Sequence, residues 1–522
     1  SFMNIILSDG FIVVLCLSFL FISTLVGSGF RFLIKLVISL LVVFYVSDLF
    51  VIFIFNSRLY FDDVFKFIFE IDFGMFNIYT IFLLLAVLFL VLMFLFSDGN
   101  YKIKSRKIFV SFIPLIFFLY NYNVNSSVRS VFFKNYILIN VESTYDKEYS
   151  DKFKKSVGLK SDEIVCDNVT ASRPKNIIVF IVESWSNYHS KWFGGDNDWT
   201  PKLDSLAKRG VSFKNFYANG FSTEGGLYSI LTGSPLLPYK IKLGTDGALV
   251  LKNINFSESF PLEFSHLGYN TKFITSGDLS FLDKRNWLES LGFNKIIGNE
   301  SFDKTERKFL FRSVSDETLY ERVLNEINSD ENNFIVVENV NTHQPFYYPE
   351  KNEVKTSEEY AFKYADEKLF NLINKVPKSN NMIIVMSDHR AMTPLSEKEI
   401  SDSQQMASSR VPMFVIWNNE KKVIVQYYQQ KDVLRSVYNS SVGELCHNHS
   451  TGAIFPLERS IPSKCVYHSR GDERSKVSVL CEDDKFDIIL DGDDTRASAD
   501  TKYTEQAINY INKVRLNTYK SN

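Results

Sequence analysis

The sequence predicts a multi-pass helical membrane region followed by an α/β domain whose mostly parallel central sheet is covered by helices. Three observations carry that expectation. Apolar runs about as long as a bilayer is thick crowd the first quarter of the chain. Beyond residue 173, short β-branched runs alternate with amphipathic helical stretches, the pattern of strands and helices in turn. Several of those runs end in carboxylates and histidines. At 522 residues the chain is also too long for one ordinary domain, and a formal net charge of -2 with no long basic stripe argues against nucleic acid as a partner.

Four apolar runs precede residue 125, at roughly 11 to 27, 32 to 55, 75 to 96 and 107 to 123. The first is also as long as a secretory signal, but no basic residue precedes it and three further runs follow. Ser1 and Phe2, ahead of Met3, read as a cloning remnant. Arg31 and Lys35 lie at the first junction, and Lys102, Lys104, Arg106 and Lys107 lie between the third and fourth runs. Basic loops face the cytoplasm, which puts both termini outside. The acid-rich "NSRLYFDDVFKFIFEIDFG" between them reads as an interfacial amphipathic segment. A fifth, weakly apolar span over about 59 to 74 is the other reading, and it moves only the N-terminus. The expected organisation is a transmembrane domain over 1–124, a polar and irregular connector over 125–172, and an extracytoplasmic domain over 173–522. Cysteine usage agrees: Cys16 falls in a span, and Cys166, Cys446, Cys465 and Cys481 fall where disulfides form. Proximity favours pairing Cys446 with Cys465, and the spacing lacks the CxxC pairs of a structural zinc site.

In the soluble part, "KNIIVFIVES", "NNFIVVENV" and "NNMIIVMSDH" are short apolar runs with polar ends, as strands buried on both faces require. "TPKLDSLAKRG" predicts a helix with Leu203 and Leu206 inward and Gly210 ending it. In such sheets chemistry gathers at the carboxyl ends of the strands, where Glu183, His343, and Asp388 with His389 are expected. Singly, each is an ordinary polar residue at a strand end. Together, two carboxylates and an imidazole suit one divalent cation. "NGFSTEGGLYSILTG" then places Ser222 at an N-cap and Thr223 first in a helix, with Leu227, Ile230 and Leu231 spaced to bury one face. A helix N-terminus favours an anion such as a bound phosphate, and Gly225 and Gly226 permit close approach. A threonine hydroxyl becomes a nucleophile only when a metal or base lowers its pKa. The same hydroxyls also serve simply as helix caps, and residue types alone leave both readings open. Past residue 420, "VYHSRGDERSKVSVLCEDDKFDIILDGDD" alternates like strands of a C-terminal sheet from which His468 with Arg470 could approach the site, although His468 reads rather as structural, and "TEQAINYINKVRLNTY" reads as a closing amphipathic helix.

"IIVFIVES", "TPKLDSLAKRGVSFKNFYANGFSTEGGLYSILTGSP", "NTHQPF" and "VMSDH", in this order after apolar spans, resemble the sulfatase-like branch of the alkaline phosphatase superfamily. The nearest look is to lipoteichoic acid synthases and membrane phosphoglycerol transferases, with phosphoethanolamine transferases more distant. The resemblance covers residues 173 to about 420. It implies an alkaline-phosphatase-like fold in which Glu183, Thr223, Asp388 and His389 bind one Mn or Zn ion, with Thr223 as nucleophile and His343 on the substrate phosphate. It further implies that "TSGDLSFLDKRNW" occupies the place where the family carries a His-Gly start and a Phe-Trp-Asn-Arg element. There Asp278 and Arg285 are expected to meet the substrate, while Ser276 replaces the histidine, the aromatic pair is absent and Trp287 is shifted.

The implied activity is metal-dependent transfer of phosphoglycerol from phosphatidylglycerol to an extracytoplasmic glycan through a covalent threonine. Its partners are a membrane phospholipid donor and a glycan acceptor, in a bacterial cytoplasmic (inner) membrane with the catalytic domain periplasmic or extracellular. Phosphoethanolamine transfer to a lipid or surface glycan is the alternative, although "GLYSILTGSP" lies closer to the phosphoglycerol group. A phosphodiester or sulfate ester hydrolase ranks below both, since the C-x-P-x-R setting of classical sulfatases is absent and only seven His could furnish a second metal site. A non-catalytic glycan sensor is disfavoured by the intact set of ligand residues.

Overall fold

The computed structural model describes residues 26–55, 149–158, 164–237, 258–327, 331–350, 353–471 and 475–518, with scattered positions among 16–23 and at 59, 94 and 95. The chain divides into two compact units, Ser1–Thr144 and Tyr145–Asn522. In the first, a helix spans Ser28–Phe55. Its stretch Ser28–Leu49 has a mean hydropathy of 2.2, and among the described residues it is the one helix long and apolar enough to cross a membrane. Phe30, Leu33 and Leu40 are exposed on it, as lipid-facing residues would be. It covers the run expected over 32 to 55. The runs at 75 to 96 and 107 to 123, the segment before them and the basic loop around 102–107 lie almost wholly outside the described residues.

The second unit holds sixteen described strands. In chain order the first eight are β1 (Val165–Asn168), β2 (Asn176–Ile181), β3 (Val211–Tyr217), β4 (Asn270–Thr275), β5 (Lys295–Ile297), β6 (Asn333–Glu338), β7 (Tyr347–Glu350) and β8 (Glu353–Thr356). The rest are β9 (Asn381–Met386), β10 (Met413–Ile416), β11 (Lys422–Gln429), β12 (Glu444–His447), β13 (Cys465–Ser469), β14 (Lys476–Cys481), β15 (Asp484–Asp491) and β16 (Asp494–Ala497). The central sheet runs β11-β3-β10-β9-β2-β6-β4-β5. β10 is antiparallel to both neighbours, and the other pairs are parallel.

β2 lies between β9 and β6, and every residue of these three strands is buried. Side chains alternate between the two faces of the sheet. Ile177, Val179 and Ile181 pack with Phe334, Val336 and Ile384 on one face, under the helices Thr223–Thr232, Phe260–His266, Lys284–Ser290 and Lys431–Val442. Ile178, Phe180 and Val182 pack with Ile335, Val337 and Val385 on the other, under Pro201–Arg209, Asp316–Ile327 and Glu358–Lys375. Register is pinned at the amino ends by an asparagine ladder: Asn176 donates to Asn381 Oδ1 at 2.7 Å, and Asn333 donates to Asn176 Oδ1 at 2.9 Å. Because a one-residue slip would turn every side chain to the wrong face, this ladder also brings the carboxyl ends level, with Ile181 opposite Met386 and Glu338.

The expected Thr223 helix forms, and Leu227, Ile230 and Leu231 are fully buried, each stabilising by roughly 1.5–3 kcal/mol. It is buried all along from Gly225 to Thr232 rather than on one face, because the Lys431–Val442 helix packs on it as well. Gly210 ends the Pro201–Arg209 helix as expected, but with φ -107 it is not left-handed. Its need is space, since a Cβ there would meet Val415 O at 2.4 Å.

Two expectations are corrected. The described part of the supposed irregular connector contains a helix, Asp151–Gly158, whose Phe153 lies under the guanidinium of Arg515 in the closing helix Thr504–Thr518. It also contains β1, which pairs antiparallel with β12. The disulfides are Cys166–Cys446 and Cys465–Cys481, not Cys446–Cys465. Each joins residues directly opposite across an antiparallel pair, so strand register rather than distance along the chain decides the partner. β13 to β16 form the small sheet expected near the C-terminus, packed against the closing helix.

Candidate active site

Glu183, two residues beyond the end of β2 at Ile181, meets Asp388 and His389, which follow β9. All three are buried, and one donor atom of each lies within 4.8 Å of the others. His389 Nε2 is 3.2 Å from Glu183 Oε1 and 3.5 Å from Asp388 Oδ2. The His389 Nδ1 proton goes to Arg390 O at 2.8 Å, which leaves Nε2 as the atom facing the carboxylates. Ser184 between them is held at φ 59, a costly left-handed conformation for a non-glycine residue. That turn lets its N–H bond Asp388 Oδ1 at 3.0 Å and its hydroxyl bond Glu183 Oε1 at 2.8 Å.

The charges are strongly coupled. Burial opposes ionisation of Glu183, yet the His389 imidazolium holds its carboxyl well below the usual range. Burial and the Glu183 charge push Asp388 well up. Burial also disfavours the His389 cation, but Asp388 and Glu183 outweigh it and push the imidazole up to about 10. Asp388 Oδ2 is buried and, among the described residues, accepts no hydrogen bond. Two carboxylates and an imidazole nitrogen turned on one point, with a buried acceptor left over, fit a divalent cation.

Ser222 is the N-cap, its Oγ accepting from Gly225 N at 3.3 Å, and Thr223 opens the helix. Thr223 Oγ1 donates to Glu183 Oε2 at 3.1 Å and lies 3.4 Å from His389 Nε2. The two readings left open by the sequence therefore divide between neighbours: Ser222 caps the helix and Thr223 joins the carboxylates. Gly226 lets the helix reach the ligand loop, since a Cβ there would lie 2.2 Å from Asp388 O.

His343 is half-buried in the turn after β6, with Nδ1 2.6 Å from Gln344 O and its ring 5.1 Å from that of Phe311. Asp278 and Arg285 are not brought to the ligand cluster by any described contact. Asp278 accepts from the backbone and hydroxyl of Ser280 and pairs with Arg312 at 3.5 Å, while Arg285 pairs with Glu300 at the surface. Trp287 is buried in the core. His468 is buried, and its Nδ1 donates to Ala218 O at 2.9 Å.

Several supporting residues escaped the sequence reading. Asn339 accepts from Glu183 N at 2.9 Å and donates to Asp316 at 3.1 Å. Arg390 forms a two-pronged pair with Glu399 at 2.8 and 2.9 Å and donates to Thr393 O at 2.7 Å, closing the loop that carries His389. Gln430 donates to Ser387 O at 2.7 Å and Asp388 O at 2.6 Å, and its side-chain oxygen accepts from Asn219 N at 3.0 Å. It thus ties the ligand loop to the segment leading into Thr223. Lys284 bonds both oxygens of Glu338, at 2.6 and 2.5 Å. The available signals were position alone: Asn339 and Glu338 end a strand already recognised, and Arg390 follows a ligand. Gln430 carries no such mark.

A mostly parallel α/β sheet with two buried carboxylates, an imidazole and a helix-opening hydroxyl at its carboxyl edge defines an alkaline-phosphatase-like architecture. A protein of the alkaline phosphatase superfamily from Vibrio parahaemolyticus shares this fold, with a TM-score of 0.53 and 18% identity over 70% of this chain and 93% of that one. The sulfatase family model matches residues 175–440, and the chain belongs to the sulfatase family. It is 27% identical over 207 residues to the capsular polysaccharide biosynthesis protein RkpI of Rhizobium meliloti (strain 1021), covering 36% of this chain and 37% of that protein. It is 22% identical over 270 residues to lipoteichoic acid synthase 1 of Bacillus subtilis (strain 168), covering 47% of this chain and 42% of that protein. The chain thus spans about two fifths of the length of these curated relatives.

Proposed function

We propose that the protein is a phosphotransferase that moves a phospholipid head group, phosphoglycerol from phosphatidylglycerol, to an extracytoplasmic glycan through a covalent intermediate on Thr223. The observation that carries this reading is the Thr223 hydroxyl, 3.1 Å from Glu183 and 3.4 Å from His389 at the start of a helix. A divalent ion, Mn or Zn, held by Glu183, Asp388 and His389 together with Thr223 would lower the pKa of that hydroxyl and offset phosphoryl charge.

In the first step the Thr223 Oγ1–phosphorus bond forms as the bond from phosphorus to the diacylglycerol oxygen breaks. His343 donates a proton to that leaving oxygen, and the Thr223 proton passes to Glu183 Oε2, which already accepts its hydrogen bond. In the second step an acceptor hydroxyl gives its proton to His343 and bonds phosphorus as the Thr223 Oγ1–phosphorus bond breaks, and Thr223 takes its proton back from Glu183. Free N–H groups at the helix start favour the anionic phosphoryl group in both steps. The Ser28–Phe55 helix supports an anchor in a bacterial cytoplasmic membrane, with the two disulfides favouring a catalytic domain outside the cytoplasm.

The test is incubation of the full chain, in detergent with Mn, with fluorescent phosphatidylglycerol or phosphatidylethanolamine, followed by intact mass spectrometry. Diacylglycerol release and a head-group adduct that vanish in Thr223→Ala, with Mn binding retained, are the expected result. No release and no adduct from either lipid by the Mn-loaded protein would sink the reading.

A further inference from the structure

We infer that the segment 304–312, beside His343, is a docking surface for an anionic lipid bilayer. The choice of a lipid rests on the donor reading above, since phosphatidylglycerol is itself anionic and gives the membrane that carries it a negative surface. The segment reads "KTERKFLFR": Lys304, Arg307, Lys308 and Arg312 against one acid, Glu306, in a chain whose formal net charge is -2. Phenylalanines interleave with the charges at Phe309 and Phe311, the pairing of basic and apolar groups found in segments that lie at a membrane interface. A basic residue held near such a surface strengthens binding about fivefold.

Leu310 is buried and anchors the segment, while the four basic residues are exposed, Arg312 with 74% of its side chain in solvent. Phe309 and Phe311 are half-buried. Phe311 and Arg312 both stand at φ 51, a left-handed conformation that is costly for residues with a Cβ. The turn closes on itself, Phe309 N–H donating to Ser313 O at 2.8 Å. Its Phe311 ring lies 5.1 Å from that of His343 and 4.6 Å from that of Phe281. Asp278 N–H donates to Phe311 O, and Val314 N–H to Ser276 O, each at 3.0 Å, so the segment is bound to the loop that leaves β4 at the carboxyl edge of the sheet. The nearby acids are engaged: Glu306 accepts from Thr318, Glu300 pairs with Arg285, and Asp303 accepts from the backbone and hydroxyl of Thr305. Among the described residues no ion pair holds Lys304 or Arg307. Most charged loops are simply solvated. This one is set apart by the strained turn that fixes it at the sheet edge carrying Glu183 and Asp388, where a lipid has to arrive.

The test reconstitutes the Mn-loaded full chain in phosphatidylcholine vesicles, with and without phosphatidylserine, an anionic lipid that is not the proposed donor. Hydrogen exchange across 303–313 is read in each, and turnover of a trace of fluorescent phosphatidylglycerol is followed in parallel. Exchange is expected to slow about tenfold in the anionic vesicles and to recover at ~1 M salt, where the Debye length is ~3 Å. The triple change Lys304→Gln, Arg307→Gln and Lys308→Gln should abolish the slowing, and Lys304→Arg with Lys308→Arg should keep it. In detergent the triple variant should turn the lipid over as the wild type does, since the three residues stand outside the ligand cluster. In anionic vesicles its turnover should fall about tenfold. Equal exchange in neutral and anionic vesicles, or equal slowing in the wild type and the triple variant, would overturn the inference. Lipid turnover with no change in exchange would leave the transfer reading standing and remove the docking surface. Slowed exchange in anionic vesicles without turnover of the lipid would do the reverse.

Discussion

His389 carries the clearest pH signature of the site. With no cation bound, Asp388 and Glu183 raise its pKa to about 10 against the cost of burial, so it is protonated at neutral pH. A metal ligand must be a neutral imidazole, so loading the ion releases at least one proton. The sign follows: Mn affinity rises with pH across the range below about 10, where the ion competes with that proton. Calorimetry at pH 7.5, roughly mid-range, in two buffers of different ionisation enthalpy should show proton release. A buffer-independent enthalpy would refute it. The ligand residues were legible because strand-end carboxylates and histidines in a parallel sheet face one another whatever the rest of the chain does. The surroundings of Arg285, which pairs with Glu300 at the surface while Lys284 pairs with Glu338, were not legible. Neighbours on a helix point about 100° apart, so Lys284 and Arg285 face different surroundings and the sequence string does not say which turns inward.

Between elements, Gln430 is the tie that matters. Its side chain bonds the carbonyls of Ser387 and Asp388 behind β9 and the N–H of Asn219 before the Thr223 helix. Gln430→Ala leaves three buried backbone groups without these partners, a destabilisation of about 2–4 kcal/mol. Because the tie holds a ligand loop, Mn affinity should also fall about tenfold or more at temperatures well below unfolding. An unchanged Mn affinity in the folded variant would mean the glutamine only stabilises. The strands β2, β6 and β9 and the Thr223 helix were readable from apolar period and capping residues, which are local signals. Gln430 was not, since nothing near it in sequence reveals that it bonds residues some forty positions earlier. β1 was missed for the same reason, its partner strand lying at the far end of the domain.

At the scale of the whole soluble unit, the Cys166–Cys446 bridge closes a loop of 280 residues around the central sheet. Cys166→Ser with Cys446→Ser should cost about 2–5 kcal/mol, read as a lower midpoint in thermal or denaturant unfolding, with Mn affinity of the folded protein little changed. A midpoint equal to the wild type's would show that the bridge constrains nothing.

The order of the sheet sets a timetable for synthesis. β2 leaves the ribosome first, but its two neighbours arrive 157 and 205 residues later, as the asparagine ladder records. At about 5–20 residues per second, β2 waits on the order of 10–40 s with both edges open. No shorter nascent chain contains the cation trap, because Asp388 and His389 come after that delay and Gln430 later still. Capture of an ion there would therefore wait until the chain has been made past Gln430, long after the first strand of the sheet has emerged.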